Sequence, residues 1–283
     1  MLYTIQNSKI CVTVDSLGAQ VVSVKKDGRE KIWQNPTGEW NGHSPVLFPV
    51  CGHFGVYHEG VDYPISAHGF VRRKEFVLTG QVCDELAFTV HSDEETRKVF
   101  PFEFSFTVRY KIQEETLIVS YEVENVSKEK PMYFACGSHE AYALDKDVDG
   151  YELRFEKEEK FLHCMHDCQG YLTEETKDFG EGKVFPLPID FLQKGATLIF
   201  KEVQSRRVWL CEKDGKELVE VGFDGFGNLL LWRADEGKFI CVEPWTNLPD
   251  YAGVAPIEFS KKDGVMEVGA GQTKCVTHTV KFL

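Results

Sequence analysis

The chain has 283 residues and a formal net charge of −13, with hydrophobic residues making up 42% and aromatic residues 13% of it. That apolar content supplies a large core and excludes disorder, while the acidic balance repels nucleic-acid phosphates and anionic lipid surfaces. No run reaches the roughly 20 consecutive apolar residues that a membrane helix requires.

The opening segment Met1–Lys9 lacks the basic and apolar regions of a secretory signal. The nine cysteines are scattered without framework spacing, several within apolar runs such as Cys11-Val-Thr-Val and Ile240-Cys-Val, and read as free thiols of a reducing compartment. A cytoplasmic protein is therefore expected, with neither nucleic acid nor a membrane as partner.

Period-two alternation, the pattern of a half-buried strand, begins at Ile10-Cys-Val-Thr-Val. Val21-Val-Ser-Val and Arg29-Glu-Lys-Ile-Trp flank Asp27-Gly28, a hairpin turn signal. Phe104, Phe106, Val108, Tyr110 and Ile112 alternate with polar residues, and the alternation resumes at Leu117, Val119, Tyr121 and Val123, predicting a second long hairpin. Arg207-Val-Trp-Leu-Cys, Leu229-Leu-Leu-Trp, Phe239-Ile-Cys-Val and Val276–Phe282 add strands, some apolar throughout as in a sheet covered on both faces. No amphipathic helix of three turns, no fixed-period repeat and no linker composition interrupts the series. The expectation is all-β: one domain over residues 1–283, built as a large antiparallel sandwich of two sheets.

Three segments place titratable groups beside glycine or proline in apolar surroundings: Ala67-His-Gly-Phe-Val-Arg-Arg, Tyr133-Phe-Ala-Cys-Gly-Ser-His-Glu-Ala-Tyr and Phe239-Ile-Cys-Val-Glu-Pro-Trp-Thr-Asn. His68 and His139, each taken alone, fit a hydrogen-bonded structural role as well as a catalytic one. Glu243 carries more weight, because Ile240, Val242 and Trp245 surround it with apolar bulk and burial raises a carboxyl pKa; its alternative is a salt-bridged strand end.

His68-Gly-Phe, Gly137-Ser-His139 and Glu243-Pro-Trp, preceded by Trp40 and by Ser44-Pro-Val-Leu-Phe-Pro-Val-Cys-Gly, resemble in order and spacing the landmarks of the aldose 1-epimerase (galactose mutarotase) family, and within it the LacX-like branch. The resemblance runs from about Trp33 to Asp250. It implies a galactose mutarotase-like supersandwich whose concave face holds a sugar, with no cofactor and no resident metal. It also implies Glu243 as base on the C1 hydroxyl, His139 as acid at the ring oxygen and His68 as donor to neighbouring sugar oxygens. Trp40, Phe70, Tyr142 and Trp245 lie beside the motifs as candidate platforms for a sugar ring, although packing in the core is the commoner fate of an aromatic side chain.

The chain departs from the family in two places. Gly52-His53-Phe54 stands where galactose mutarotases have an arginine, so His53 takes that binding position without a bidentate fork. A family aspartate has no counterpart in register near Gln193-Lys-Gly-Ala-Thr, and Asp190 is only nearby. Arg72 and Arg73 are candidates for holding a sugar phosphate. Cys164, His166 and Cys168 would share a strand face suited to a soft metal, but lack the knuckle spacing of structural zinc. The expected activity is anomer exchange on a hexose or related sugar; the alternatives are a sugar-phosphate mutarotase, a non-catalytic sugar-binding protein, and a metallohydrolase using His68, His139 and Glu243. Monomer and homodimer both remain open.

Overall fold

The alternation over residues 104–123 becomes a hairpin of strands Phe104–Gln113 and Thr116–Asn125, paired antiparallel with Tyr110 opposite Val119 and Val108 opposite Tyr121. Successive side chains of a strand point to opposite faces, so Phe104, Phe106, Val108, Tyr110 and Ile112 share one buried face. In this computed structural model, which describes residues 1–192 and 195–283, strand outweighs helix by 52% to 7%. Among the described residues the longest α-helix is Glu94–Val99, and no helix is long and apolar enough to cross a membrane.

The architecture is all-β, a large antiparallel sandwich. Its main layer is a sheet of 13 strands. From one edge the order runs Glu140–Ala143, Phe239–Trp245, Asn228–Trp232, Leu198–Phe200, Tyr151–His166, Arg207–Glu212, Glu217–Gly222, Thr273–Phe282, Thr116–Asn125, Phe104–Gln113, Glu85–His91 and Val77–Val82; Leu172–Pro186 pairs with Tyr151–His166 beside this path. The second sheet is N-terminal: Leu2–Gln6, Ile10–Asp15, Gln20–Lys26 and Arg29–Glu30. Its Ile5, Val12, Val14 and Val24 share a core with Phe88, Phe106 and Tyr110. The Tyr3 and Phe88 rings meet at 5.4 Å, and the Tyr110 hydroxyl donates to the Ala19 carbonyl. Burying each such aromatic side chain contributes about 1.5–3 kcal/mol, and the shared core clamps the two sheets together.

Two differences from the sequence reading bear on the site. The run Arg29–Trp33 is a strand only over Arg29–Glu30. Beyond it the chain crosses to the edge of the main sheet, where the Trp33 N–H donates to the Ala141 carbonyl at 2.9 Å and residues 33–47 wrap that edge. The second difference is the hairpin of Tyr151–His166 and Leu172–Pro186, strands of 16 and 15 residues. Its outer strand is exposed through Glu174–Asp178 and therefore lacks apolar alternation.

Candidate active site

Strand Phe239–Trp245 lies between Glu140–Ala143 and Asn228–Trp232 near the edge of the main sheet. Alternation puts Cys241, Glu243 and Trp245 on one face, with Leu230 opposite Glu243 and Trp232 opposite Cys241 across the ladder. On the other side Ala141 opposes Cys241. His139, two residues earlier, continues that face, whereas Glu140 and Tyr142 turn to the opposite one. Tyr142 is buried in the main core and is not a sugar platform.

Glycine shapes both histidine segments. A Cβ on Gly137 would lie 2.6 Å from Trp245 Cδ1, so only glycine lets the Gly137-Ser-His segment close onto that indole, whose N–H donates to the Ser138 carbonyl at 3.3 Å. His68 (φ +63°) and Gly69 (φ +68°) are consecutive left-handed residues, and a Cβ on Gly69 would meet the Phe48 carbonyl oxygen at 2.0 Å. This turn swings His68 into the cleft and sends Phe70 the other way, where its ring packs at 6.3 Å from Phe100 and 6.1 Å from Phe104. Phe70 thus packs, half-buried, against the core and does not line the cleft that His68 enters.

His68 is fixed by a reciprocal pair of bonds: its backbone N–H donates to the Gly52 carbonyl at 3.0 Å, and the Gly52 N–H donates to His68 Nδ1 at 3.1 Å. Because Nδ1 accepts, the proton of the neutral ring sits on Nε2, which becomes a donor. Burial, followed by the neighbouring His139, holds His68 well below the ordinary imidazole range, so this neutral donor form persists.

Glu243 Oε2 lies 3.5 Å from His139 Nε2 in side chains that are 1% and 8% exposed as residues. Glu243 Oε1 and His139 Nδ1 are buried without a hydrogen-bond partner. Burial, then the charge of Glu140, pushes the Glu243 carboxyl well above its usual range, and burial pulls His139 down to about 4. With one pKa raised and the other lowered, burial favours a protonated carboxyl beside a neutral imidazole. Trp40 stacks on His139 at 5.3 Å and 24°, braced by Trp232 and Phe239. These groups open onto a cleft of about 330 Å³, the size of a small-ligand site.

The aldose 1-epimerase family matches residues 1–250. The chain belongs to that family. It is 29% identical to the chromosomal LacX protein of Lactococcus lactis subsp. lactis, over 93% of this chain and 97% of that protein. A galactose mutarotase-like protein from Lactobacillus casei ATCC 334 superposes with a TM-score of 0.91 at 29% identity, each chain covered in full. A galactose mutarotase-related enzyme from Lactobacillus acidophilus superposes at 0.90 over 100% of this chain and 97% of its own; at 24% identity it speaks for the fold alone.

In this epimerase-family cleft the expected residues Trp40, His53, His68, Arg72, His139, Glu243 and Trp245 come together. Arg72 donates through Nη2 to the Ala67 carbonyl at 3.0 Å, while its Nε is buried without a partner. His53 leans on Tyr171 at 4.9 Å. Among the described residues Glu243 is the sole carboxyl lining the cleft, against Arg72 and the imidazoles of His53, His68, His139 and His166. With His68 and His139 held neutral by burial, the guanidinium of Arg72 is the standing positive charge among these lining residues.

The sequence reading missed Trp232, Thr197 and Gln169 as lining residues. Trp232 was within reach, because the alternation of Leu229-Leu-Leu-Trp pairs it with Leu230 on one face. Gln169 and His166 arrive on the unexpected hairpin. His166 accepts from the Thr197 N–H through Nε2 at 3.3 Å, and Cys164, His166 and Cys168 do not converge as metal ligands among the described residues. Arg73 is exposed outside the cleft. Asp190 lines a separate hollow with Lys177 and Phe191, while Gln193 and Lys194 lie outside the described residues. A larger hollow of about 350 Å³ surrounds Lys262, but that cation is already matched by Asp250 at 2.7 Å.

Proposed function

We propose that this family member interconverts the α and β anomers of a hexose or close derivative, with Glu243 and His139 as the acid–base pair. The observation that carries the reading is the buried 3.5 Å contact between Glu243 and His139 inside a ligand-sized cleft. Ring opening requires a proton to leave the C1 hydroxyl and a proton to reach the ring oxygen. With Glu243 as carboxylate and His139 as imidazolium, Glu243 takes the first and His139 supplies the second; the C1–ring-oxygen bond breaks and an open aldehyde forms. Glu243 is then protonated and His139 neutral, the distribution that burial favours. After rotation about C1–C2 the two transfers reverse and the ring closes on the other face. The proton count of the pair never changes, and no cofactor is needed. Such positioned acid–base groups contribute about 10²–10⁴-fold. His68, as a neutral Nε2–H donor, orients a neighbouring hydroxyl, and Trp40 and Trp245 give apolar faces to the ring. The free thiols fit a cytoplasmic setting.

A second reading, a phosphorylated sugar, is favoured by Arg72, a guanidinium lining a cleft in which Glu243 is the sole carboxyl among the described residues. One experiment separates the two: anomer exchange of hexoses and of their 6-phosphates, followed by NMR against the uncatalysed rate. Catalysed exchange of a neutral hexose supports the leading reading, and exchange confined to phosphorylated sugars supports the second. Binding of a sugar with exchange at background for every sugar refutes both and leaves a binding protein.

A further inference from the structure

Beneath the acid–base pair lies a third ligand-bearing side chain that the proposed reaction does not use. Cys241 shares the strand and face of Glu243, and one ligand atom each from His139, Cys241 and Glu243 all lie within 4.8 Å of one another. All three are buried, and two of them have unsatisfied ligand atoms: His139 Nδ1 and Glu243 Oε1 have no hydrogen-bond partner in side chains whose residues are 8% and 1% exposed. This differs from the metallohydrolase arrangement drawn from the sequence, because the third member is a thiol, not His68.

A sulfur, an imidazole nitrogen and a carboxylate oxygen make a donor set for a borderline-soft d¹⁰ cation. Ligand distances of about 2.0–2.3 Å in a tetrahedral site place donor atoms roughly 3.3–3.8 Å apart, so atoms already within 4.8 Å need to close by at most about 1–1.5 Å. We propose that His139, Cys241 and Glu243 form a site for zinc or cadmium, with the cleft at the fourth position, and that its occupation blocks sugar turnover. On binding, the thiol and carboxyl protons pass to solvent. The resulting thiolate and carboxylate neutralise the dication, and the imidazole stays neutral. The buried assembly carries no net charge, which removes the main cost of placing a divalent ion there. The ordinary reading of Cys241 is packing, since it sits with Trp33, Ala141 and Phe239 in a small apolar cluster. Packing of Cys241 leaves the unpartnered polar atoms of His139 and Glu243 unaccounted for.

The metal site stands independently of the proposed reaction; only the inhibition rests on it. The test uses full-length protein with the exposed Cys83, Cys168 and Cys275 changed to Ser. Cadmium chloride is titrated in and followed by the ultraviolet thiolate-to-cadmium charge-transfer band and by thermal shift. One equivalent is expected to give the band and raise the melting temperature, since a ligand bound only by the folded state stabilises it. Cys241→Ala is expected to abolish the band, and magnesium to have no effect. His139→Asn, which leaves the thiol in place, is expected to weaken cadmium by more than the roughly tenfold typical of losing an outer-shell partner. Absence of the band in the parent, its persistence in Cys241→Ala, or unchanged cadmium affinity in His139→Asn would overturn the site. Where anomer exchange is measurable, cadmium is expected to inhibit the parent and spare Cys241→Ala; equal inhibition of both overturns the link to turnover. Should no sugar show exchange, the reaction fails while the absorbance still decides the metal site.

Discussion

Glu140 and Glu243 sit on adjacent strands at one edge of the main sheet, both buried, on opposite faces, and they are supported in opposite ways. Glu140 accepts from His278 Nε2 at 2.9 Å, and the histidine is wholly buried. Burial by itself would raise Glu140, but the charge of His278 and its hydrogen bond outweigh that and hold the carboxyl below its ordinary value. Glu243 has His139 at 3.5 Å, a partner that burial itself keeps neutral, and its desolvation, reinforced by the charge of Glu140, outweighs the lowering effect of the Trp245 N–H. A buried carboxyl with a committed partner is structure; one held away from its preferred charge, with a proton to exchange across a cleft, is equipped for chemistry.

The largest effect expected from this contrast is on rate. Glu243→Gln keeps shape and removes the base, so anomer exchange measured by NMR is expected to fall about 10²-fold or more with sugar affinity retained, and His139→Asn to behave similarly. Next in size is stability. Glu140→Gln leaves a buried partner uncompensated and is expected to cost about 3–5 kcal/mol in urea unfolding. The same change at Glu243 is not expected to destabilise.

The smallest effect is in the pH dependence. Glu243 has a folded pKa above its unfolded 4.5, so its stability contribution is complete below pH 4.5 and is lost as pH rises through the folded value. The melting temperature of Glu243→Gln relative to wild type is therefore expected to rise with pH above 4.5. His139 has the opposite sign: depressed from 6.5 to about 4, it contributes stability above pH 6.5 that is lost as pH falls toward 4. In the His139→Asn variant that part of the acid loss is expected to disappear. A melting difference for either variant that is flat over these windows would break the contrast.

The sequence showed the sheets wherever one face is buried, because period-two burial writes itself into residue type, as from Phe104 to Val123. It did not show the hairpin from Tyr151 to Pro186, whose outer strand faces water and carries Glu174, Glu175, Lys177 and Asp178. The three motifs marked the proposed acid, base and donor, since glycine at 69 and 137 is forced by close approach beside each histidine. What they could not mark was direction. Phe70 follows two left-handed residues and turns into the core, while Tyr142 is one residue out of phase with His139. Gln169 reaches the site only through tertiary approach, which has no local signature, whereas Trp232 and Cys241 follow by strand alternation once Leu230 and Glu243 are placed on the cleft face.

The most direct measurement is a carbon-13 titration of the Glu140 and Glu243 side-chain carboxyls by NMR, each assigned by its Gln variant. The expected result is a Glu243 resonance that stays in the protonated position well above pH 4.5, and a Glu140 resonance that remains ionised below it. A Glu243 carboxyl that ionises at or below 4.5, or the two carboxyls titrating together, would contradict the assignment of one as chemistry and the other as structure.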